Sequence, residues 1–194
     1  SRVWMQCLAD VTGLPVDGAV VPVLVVGAGP VGVSAAILLA QHGVGSLVID
    51  RWDDIYPLPR AVHLDDEIYR VLADLGVAEA FADITMPTLG LRLIDAKQRT
   101  MAEFRRSDPV GVYGFPPANM FDQPDLERLL RDRLAELPEA TLVGGTELVS
   151  VERGTGDDEG LLLARLRALA TGEELMVRAR SVVGCDGANS TVRG

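Results

Sequence analysis

The chain has 194 residues, room for one sizeable domain whose apolar core needs no metal or disulfide staples. Hydrophobic residues make up 48% of it and charged ones 24%, which excludes a disordered chain. Eighteen basic against twenty-eight acidic residues leave a net charge of −10, a sign that phosphate backbones and anionic lipid repel, so neither nucleic acid nor a membrane surface is an expected partner.

Residues 1–20 carry no clear period and contain Gly13, Pro15 and Gly18; they read as an irregular leader, partly helical around Val3 to Leu8. From Gly18 to Ile49 there is no Asp, Glu, Lys or Arg. A membrane helix is not the reading, because Pro22, Gly27, Gly29, Pro30, Gly32, Gly43 and Gly45 cut the span into short pieces. The start of the chain also lacks the basic region and small-residue cleavage site of a secretory signal. Val23 to Val26 predicts a strand buried on both faces, Val31 to Ala40 a helix with Gly43 at its left-handed stop, and Leu47 to Ile49 a second buried strand ending at Asp50. Short loops in such a unit imply parallel strands joined by a right-handed crossover.

Beyond the polar segment 50–60, Leu64, Ile68, Val71, Leu72 and Leu75 fall at helical spacing, with Gly76 as the stop. Alternating apolar and charged residues from Leu89 to Phe104 predict a β-hairpin around Asp95–Gln98, followed by a loop to Asn119. A helix begins near Pro124, shows Leu126, Leu129, Leu130, Leu134 and Leu137 on one face, and ends at Pro138. Leu142 to Val151, Leu161 to Leu169 and Leu175 to Val183 are predicted strands, the last two paired across Thr171–Gly172; the composition of the middle one would also suit a helix. The acidic stretch Gly154 to Gly160 is a solvated loop that needs no functional explanation.

The chemistry centres on GAGPVG, Gly27 to Gly32. A dinucleotide pyrophosphate needs a tight turn at the first glycine, open backbone at the second and close helix–strand contact at the third. The string follows a buried strand and opens a helix, and Asp50 stands at the end of the next strand, where a carboxylate can accept bonds from the adenosine ribose hydroxyls. An acid at that position suits a free 2′-hydroxyl, hence FAD or NAD in preference to NADP. Three further signals are ambiguous by themselves. Arg60 could reach a pyrophosphate or be a surface charge, Gln123 could simply cap the helix at Pro124, and Asp186–Gly187 could meet a ligand at a strand end or form a plain turn. The cysteines Cys7 and Cys185 have no CxxC or CxH company, which excludes a disulfide framework and a zinc ribbon and suits a reducing cytoplasm. His42 and His63 are not spaced as ligands, so neither a metal site nor a Ser-His-Asp triad is expected.

Four strings in order, GAGPVG with Asp50, LPRAVHLDDE (58–67), FDQPDLERLL (121–130) and GCDGANSTVR (184–193), resemble the FAD-dependent aromatic hydroxylases, the single-component flavoprotein monooxygenases, and within them the 3-(3-hydroxyphenyl)propionate hydroxylase-like members. The resemblance implies an α/β fold: a Rossmann-like FAD-binding domain with a parallel sheet, an antiparallel β-meander and part of a substrate-side sheet. It assigns 21–194 to an incomplete FAD-binding domain and 88–121 to an inserted substrate-side segment. Gly27, Gly29 and Gly32 would hold the FAD pyrophosphate and Asp50 the ribose, where the family more often has Glu. Arg60 and Gln123 match positions at the phosphates and ribityl region, Leu148 one whose backbone borders the adenine, and Asp186 with Gly187 the family's DG motif. The implied reaction is hydroxylation of a phenolic ring with NAD(P)H and O₂, the cofactor carrying the chemistry, so no catalytic side chain is named. The family has a later GD motif; this chain stops at Gly194, just after the DG motif, so it is expected to be a fragment or a shortened protein whose own hydroxylase activity is doubtful. The alternatives are another FAD or NAD oxidoreductase on the same fold, or a nucleotide-binding module without activity.

Overall fold

A computed structural model of the chain describes residues 20–193; the predicted leader lies outside the described residues, except that Val20 already belongs to the first strand. Two compact units are present. The first comprises the described residues up to Tyr56 together with those from Leu130 on, and the second is Pro57–Leu129.

In the first unit β1 (Val20–Val26), α1 (Pro30–Gln41) and β2 (Ser46–Ile49) form the anticipated β-α-β unit, with β1 and β2 parallel from Val23↔Ser46 to Val26↔Ile49. β1 from Leu24 to Val26 and all of β2 are buried, which is why these strands read as continuous apolar runs without alternation. α1 buries Gly32, Val33, Ala36, Ile37 and Ala40, a stripe of mostly small residues. It ends in paired bonds, Gly43 N–H to the Ala40 carbonyl at 2.9 Å and Val44 N–H to that of Leu39 at 2.9 Å, with Gly43 at φ +70°. That is the left-handed glycine stop expected from the sequence.

Four later strands complete the sheet: β8 (Ala140–Val143), β9 (Thr146–Arg153), β10 (Leu162–Ala168) and β11 (Glu174–Gly184). Their order is β8-β2-β1-β11-β10-β9. The first four strands run parallel, while β9, β10 and β11 form the antiparallel meander. β11 serves both parts. Residues 174–179 pair antiparallel with β10, and residues 178–184 run parallel beside β1. β10 alternates as a strand should, with Ala164, Leu166 and Ala168 buried and Arg165 exposed, so its helix-like composition is overridden by its place in the sheet. The core joins Leu24, Leu47, Ile49, Leu148, Leu166 and Ala179, all buried; each large aliphatic side chain among them contributes about 1.5–3 kcal/mol.

The single strand predicted from Leu142 to Val151 is two. Gly145, at φ +62°, turns the chain between β8 and β9, and a Cβ on Gly144 would collide with the backbone of Asp53. The two glycines are the break, a signal present in the sequence but outweighed by the apolar residues on either side.

The second unit holds β3 (His63–Leu64), α2 (Asp66–Asp74), α3 (Ala78–Ile84), β4 (Thr85–Pro87), β5 (Gly90–Ile94), β6 (Thr100–Arg105) and β7 (Asn119–Phe121). Asp65 caps α2 by accepting the Ile68 amide at 3.0 Å. α3 and the small sheet β3-β7-β4 were not predicted; these elements are two to seven residues long, too short to show a period. The β5–β6 hairpin is as expected. Asp95 closes its turn by accepting the amides of Lys97 and Arg99, and Gln98 adopts φ +60°. The helix α4 (Gln123–Ala135) runs from the second unit into the first and buries Leu126, Leu130 and Leu134 at every fourth position. It stops at Ala135, short of Pro138, because Leu137 precedes a proline and is driven out of the helical region.

Candidate functional site

Three parallel strands of the first unit deliver their C-terminal ends to one edge. Gly27 N–H donates to the Ile49 carbonyl at 2.8 Å and Cys185 N–H to that of Val26 at 2.7 Å, so the end of β1 is stitched to both neighbours. The chain leaves β1 toward β2 on one side and receives β11 on the other. Such a point is where open α/β sheets take ligands.

The three loop glycines have different reasons to be glycine. Gly27 adopts φ +103°, and a Cβ there would collide with the carbonyl oxygen of Cys185; a Cβ on Gly32 would collide with that of Gly27. Both are imposed by backbone packing within the cradle. Gly29 has ordinary extended backbone, φ −72° and ψ −178°, and a Cβ on it would meet nothing within 4 Å. Its hydrogen is what a ligand lying over the loop would contact. Just behind it α1 begins with Pro30, which has no N–H, and the amides of Val31 and Gly32 have no acceptor among the described residues. With Val31 72% exposed, these donors and the positive end of the helix face an open space suited to a phosphate group.

Asp50 sits where the sequence placed it, and it does more than was predicted. Its Oδ2 accepts the Ala28 amide at 2.6 Å and its Oδ1 that of Trp52 at 2.9 Å, so it braces the glycine loop and the turn after β2. Each carboxylate oxygen keeps a second lone pair for a sugar hydroxyl. The Asp50 carbonyl also accepts the Thr146 amide at 2.8 Å, which brings the start of β9 to the end of β2. Leu148, two residues into β9, buries its side chain in the core, so only its backbone is available to a ligand.

Asp186 and Gly187 follow β11 directly. Asp186 Oδ2 accepts the amides of Thr191 at 2.6 Å and Val192 at 3.3 Å, closing the turn that Gly187 opens at φ +80°. Burial pushes the Asp186 carboxyl up, but bonds from the Ser190 hydroxyl and from its own, the Thr191 and the Val192 amides outweigh that, and it stays below the usual carboxylate range. Its Oδ1 is buried without a partner, an acceptor lacking a donor at the edge of the site. Beside it the Cys185 thiol is pushed up by burial and by the Asp186 charge. Sequence reasoning did not single out Arg131, whose Nη2 donates to the Ala28 carbonyl at 3.4 Å from α4 and whose Nε is buried without an acceptor.

The remaining two predicted residues lie in the second unit and meet each other. Gln123 Oε1 accepts the amides of Arg60 at 2.9 Å and Ala61 at 2.8 Å. Gln123 is therefore not a helix cap; the Asp122 carbonyl takes the first helical bond, from Leu126 at 3.2 Å. Arg60 itself is exposed. Among the described residues no group of three or more His, Cys, Asp or Glu could hold a metal, and no helix is long and apolar enough to cross a membrane.

In the first unit, then, an open glycine, unpaired helix-terminal amides and a carboxylate with free lone pairs fit the pyrophosphate and ribose of a dinucleotide. A family model described as FAD binding domain matches residues 20–194. A probable NADH-specific resorcinol 4-hydroxylase of Rhodococcus jostii is 36% identical over 173 residues, which cover 89% of this chain and 32% of that protein. A 3-(3-hydroxy-phenyl)propionate/3-hydroxycinnamic acid hydroxylase of Burkholderia cenocepacia is 37% identical over 171 residues, 88% of this chain and 30% of the relative. Among solved structures, the flavin-dependent monooxygenase PieE in complex with FAD and substrate superposes with a TM-score of 0.76 at 28% identity, over 90% of this chain and 31% of the other. The chain spans about a third of the length of the curated relatives it matches.

Proposed function

Because this chain belongs to the FAD binding domain family, we infer that it forms the FAD-binding part of a monooxygenase that hydroxylates a phenolic ring with NAD(P)H and O₂. The observation that carries this reading is the cradle at the end of β1, open at Gly29 and walled by backbone at Gly27 and Gly32. The curated relatives support the reaction class: their names give resorcinol, 3-(3-hydroxyphenyl)propionate and 3-hydroxycinnamate as substrates, all phenols, and one is described as NADH-specific.

In this reading Gly29 and the amides of Val31 and Gly32 take the pyrophosphate, while Gly27 and Gly32 keep the loop close enough to do so. Asp50 accepts from the adenosine ribose, and the backbone around Leu148 borders the adenine. Asp186 and Gly187 meet the cofactor at the end of β11. The family resemblance assigns Arg60, on a loop that Gln123 holds, to the FAD phosphates. FAD, when bound, accepts two electrons from NAD(P)H and activates O₂; one oxygen atom enters the ring and the other leaves as water. The protein's share is to bind, to orient and to keep water out. We assign the substrate side to residues 88–121, where Leu91, Leu93 and Phe104 of the hairpin are exposed. A cytoplasmic location fits the cysteine usage.

Titrating the purified protein with FAD, followed by the quenching of flavin fluorescence, tests the cofactor. Oxidation of NADH or NADPH stimulated by resorcinol or 3-(3-hydroxyphenyl)propionate, with a product one oxygen heavier, tests the reaction. A protein that binds NAD and ignores FAD would place it among other nucleotide oxidoreductases.

A further inference from the structure

The second unit contains a buried acid that the reading above does not use. Glu127, on α4, is 2% exposed, and its Oε1 accepts a bond from Gln123 Nε2 at 2.6 Å. Among the described residues no other hydrogen bond or ion pair reaches its carboxylate. A buried acid is costly and calls for a partner, so its place here needs a reason. The geometry supplies one. A glutamine amide has two nearly isosteric ends, a carbonyl that accepts and an NH₂ that donates. The amides of Arg60 and Ala61 both need the carbonyl end, which they reach at 2.9 and 2.8 Å. An acceptor-only group at the other end is satisfied in one orientation alone. Reversed, the amide would point its NH₂ at two backbone N–H donors and its carbonyl at a carboxylate.

We propose that Glu127 is a positioning residue that locks the Gln123 amide with its carbonyl toward the Arg60–Ala61 backbone, and so sets the conformation of the loop that carries Arg60. Gln123 and Glu127 lie one helical turn apart on α4, so the helix itself holds the pair in register. The chain is acceptor to donor throughout: Glu127 carboxylate, Gln123 amide, loop amides. This rests on the assignment of Arg60 and Gln123 to the cofactor.

The test measures FAD affinity by fluorescence quenching in the chain and in five variants, Glu127→Gln, Glu127→Met, Glu127→Ala, Gln123→Ala and Arg60→Ala, each with a melting curve. Glu127→Met leaves Gln123 Nε2 without an acceptor while filling the space, and is expected to weaken FAD about tenfold, as for one stranded buried polar group. Glu127→Gln offers the same carbonyl acceptor and is expected to restore affinity to within about threefold of the parent. A merely structural acid would not be rescued selectively in binding at matched melting temperature. Should Gln123→Ala and Arg60→Ala weaken FAD while Glu127→Met and Glu127→Ala do not, the lock is wrong and the cofactor assignment stands. Should Gln123→Ala and Arg60→Ala leave FAD unchanged, the assignment fails and takes the lock with it.

Discussion

Asp50 Oδ2 lies 2.6 Å from the Ala28 amide, so the acid at the end of β2 grips the glycine loop that follows β1. One carboxylate thereby serves the loop and, in the proposed function, the sugar. Replacing Asp50 with Ala strands the Ala28 and Trp52 amides and is expected to destabilise the cofactor-free protein by about 1–3 kcal/mol, besides weakening FAD. Urea unfolding without FAD measures the first effect. A variant as stable as the parent would reduce Asp50 to a ligand for the ribose alone.

Gly29 and Gly32 should separate binding from folding. A side chain at Gly29 enters open space on extended backbone, so Gly29→Val is expected to melt within a few degrees of the parent and to lose flavin retention. At Gly32 even a methyl group collides with the Gly27 carbonyl, so Gly32→Ala is expected to cost about 1–3 kcal/mol or more of stability. Melting curves and the visible absorption of the purified variants distinguish the two. Unchanged flavin content in a folded Gly29→Val protein would remove the loop from the cofactor site.

Asp186 carries a pH dependence of definite sign. Its folded carboxyl titrates below the usual range, so its contribution is complete above the unfolded value of about 3.9 and fades as pH falls through the lower folded value. The difference in melting temperature between the parent and Asp186→Ala is therefore expected to be largest near neutrality and to close in acid. A difference independent of pH would mean that Thr191 and Val192 do not depend on the charge.

Cys185 should behave as a sluggish thiol. Burial, then the neighbouring Asp186 charge, raises its pKa, so in a Cys7→Ser background alkylation by iodoacetamide is expected to be slow at neutral pH and still accelerating above about pH 9. Asp186→Ala removes the second cause and is expected to move that profile to lower pH. A profile that does not move would leave burial as the whole cause.

Much of the first unit was legible because its signals reinforce one another. A β-branched run, a glycine loop, a neutral helix, a second apolar run and an acid at its end occur in the order that a parallel unit requires. What escaped was encoded in relations between distant residues. Nothing local to Asp50 tells that it will bond Ala28, and nothing local to Gln123 tells that its partners are Arg60 and Ala61. Glu127 looked like any polar position of an amphipathic helix, although it is buried. The strands β3, β4 and β7 are held by pairing with one another, and no period of two develops in so few residues.

β1 takes its place beside the last strand described, with Val20 opposite Arg178 and Val26 opposite Gly184. A ribosome therefore releases the glycine turn long before it releases the Cys185 backbone against which Gly27 packs. Until then the nascent chain has half a nucleotide cradle, and loop closure across most of its length must precede any hold on a diphosphate. Synthesis and cofactor loading are thus ordered by topology: the glycine turn is made before β11 and waits for it to become useful.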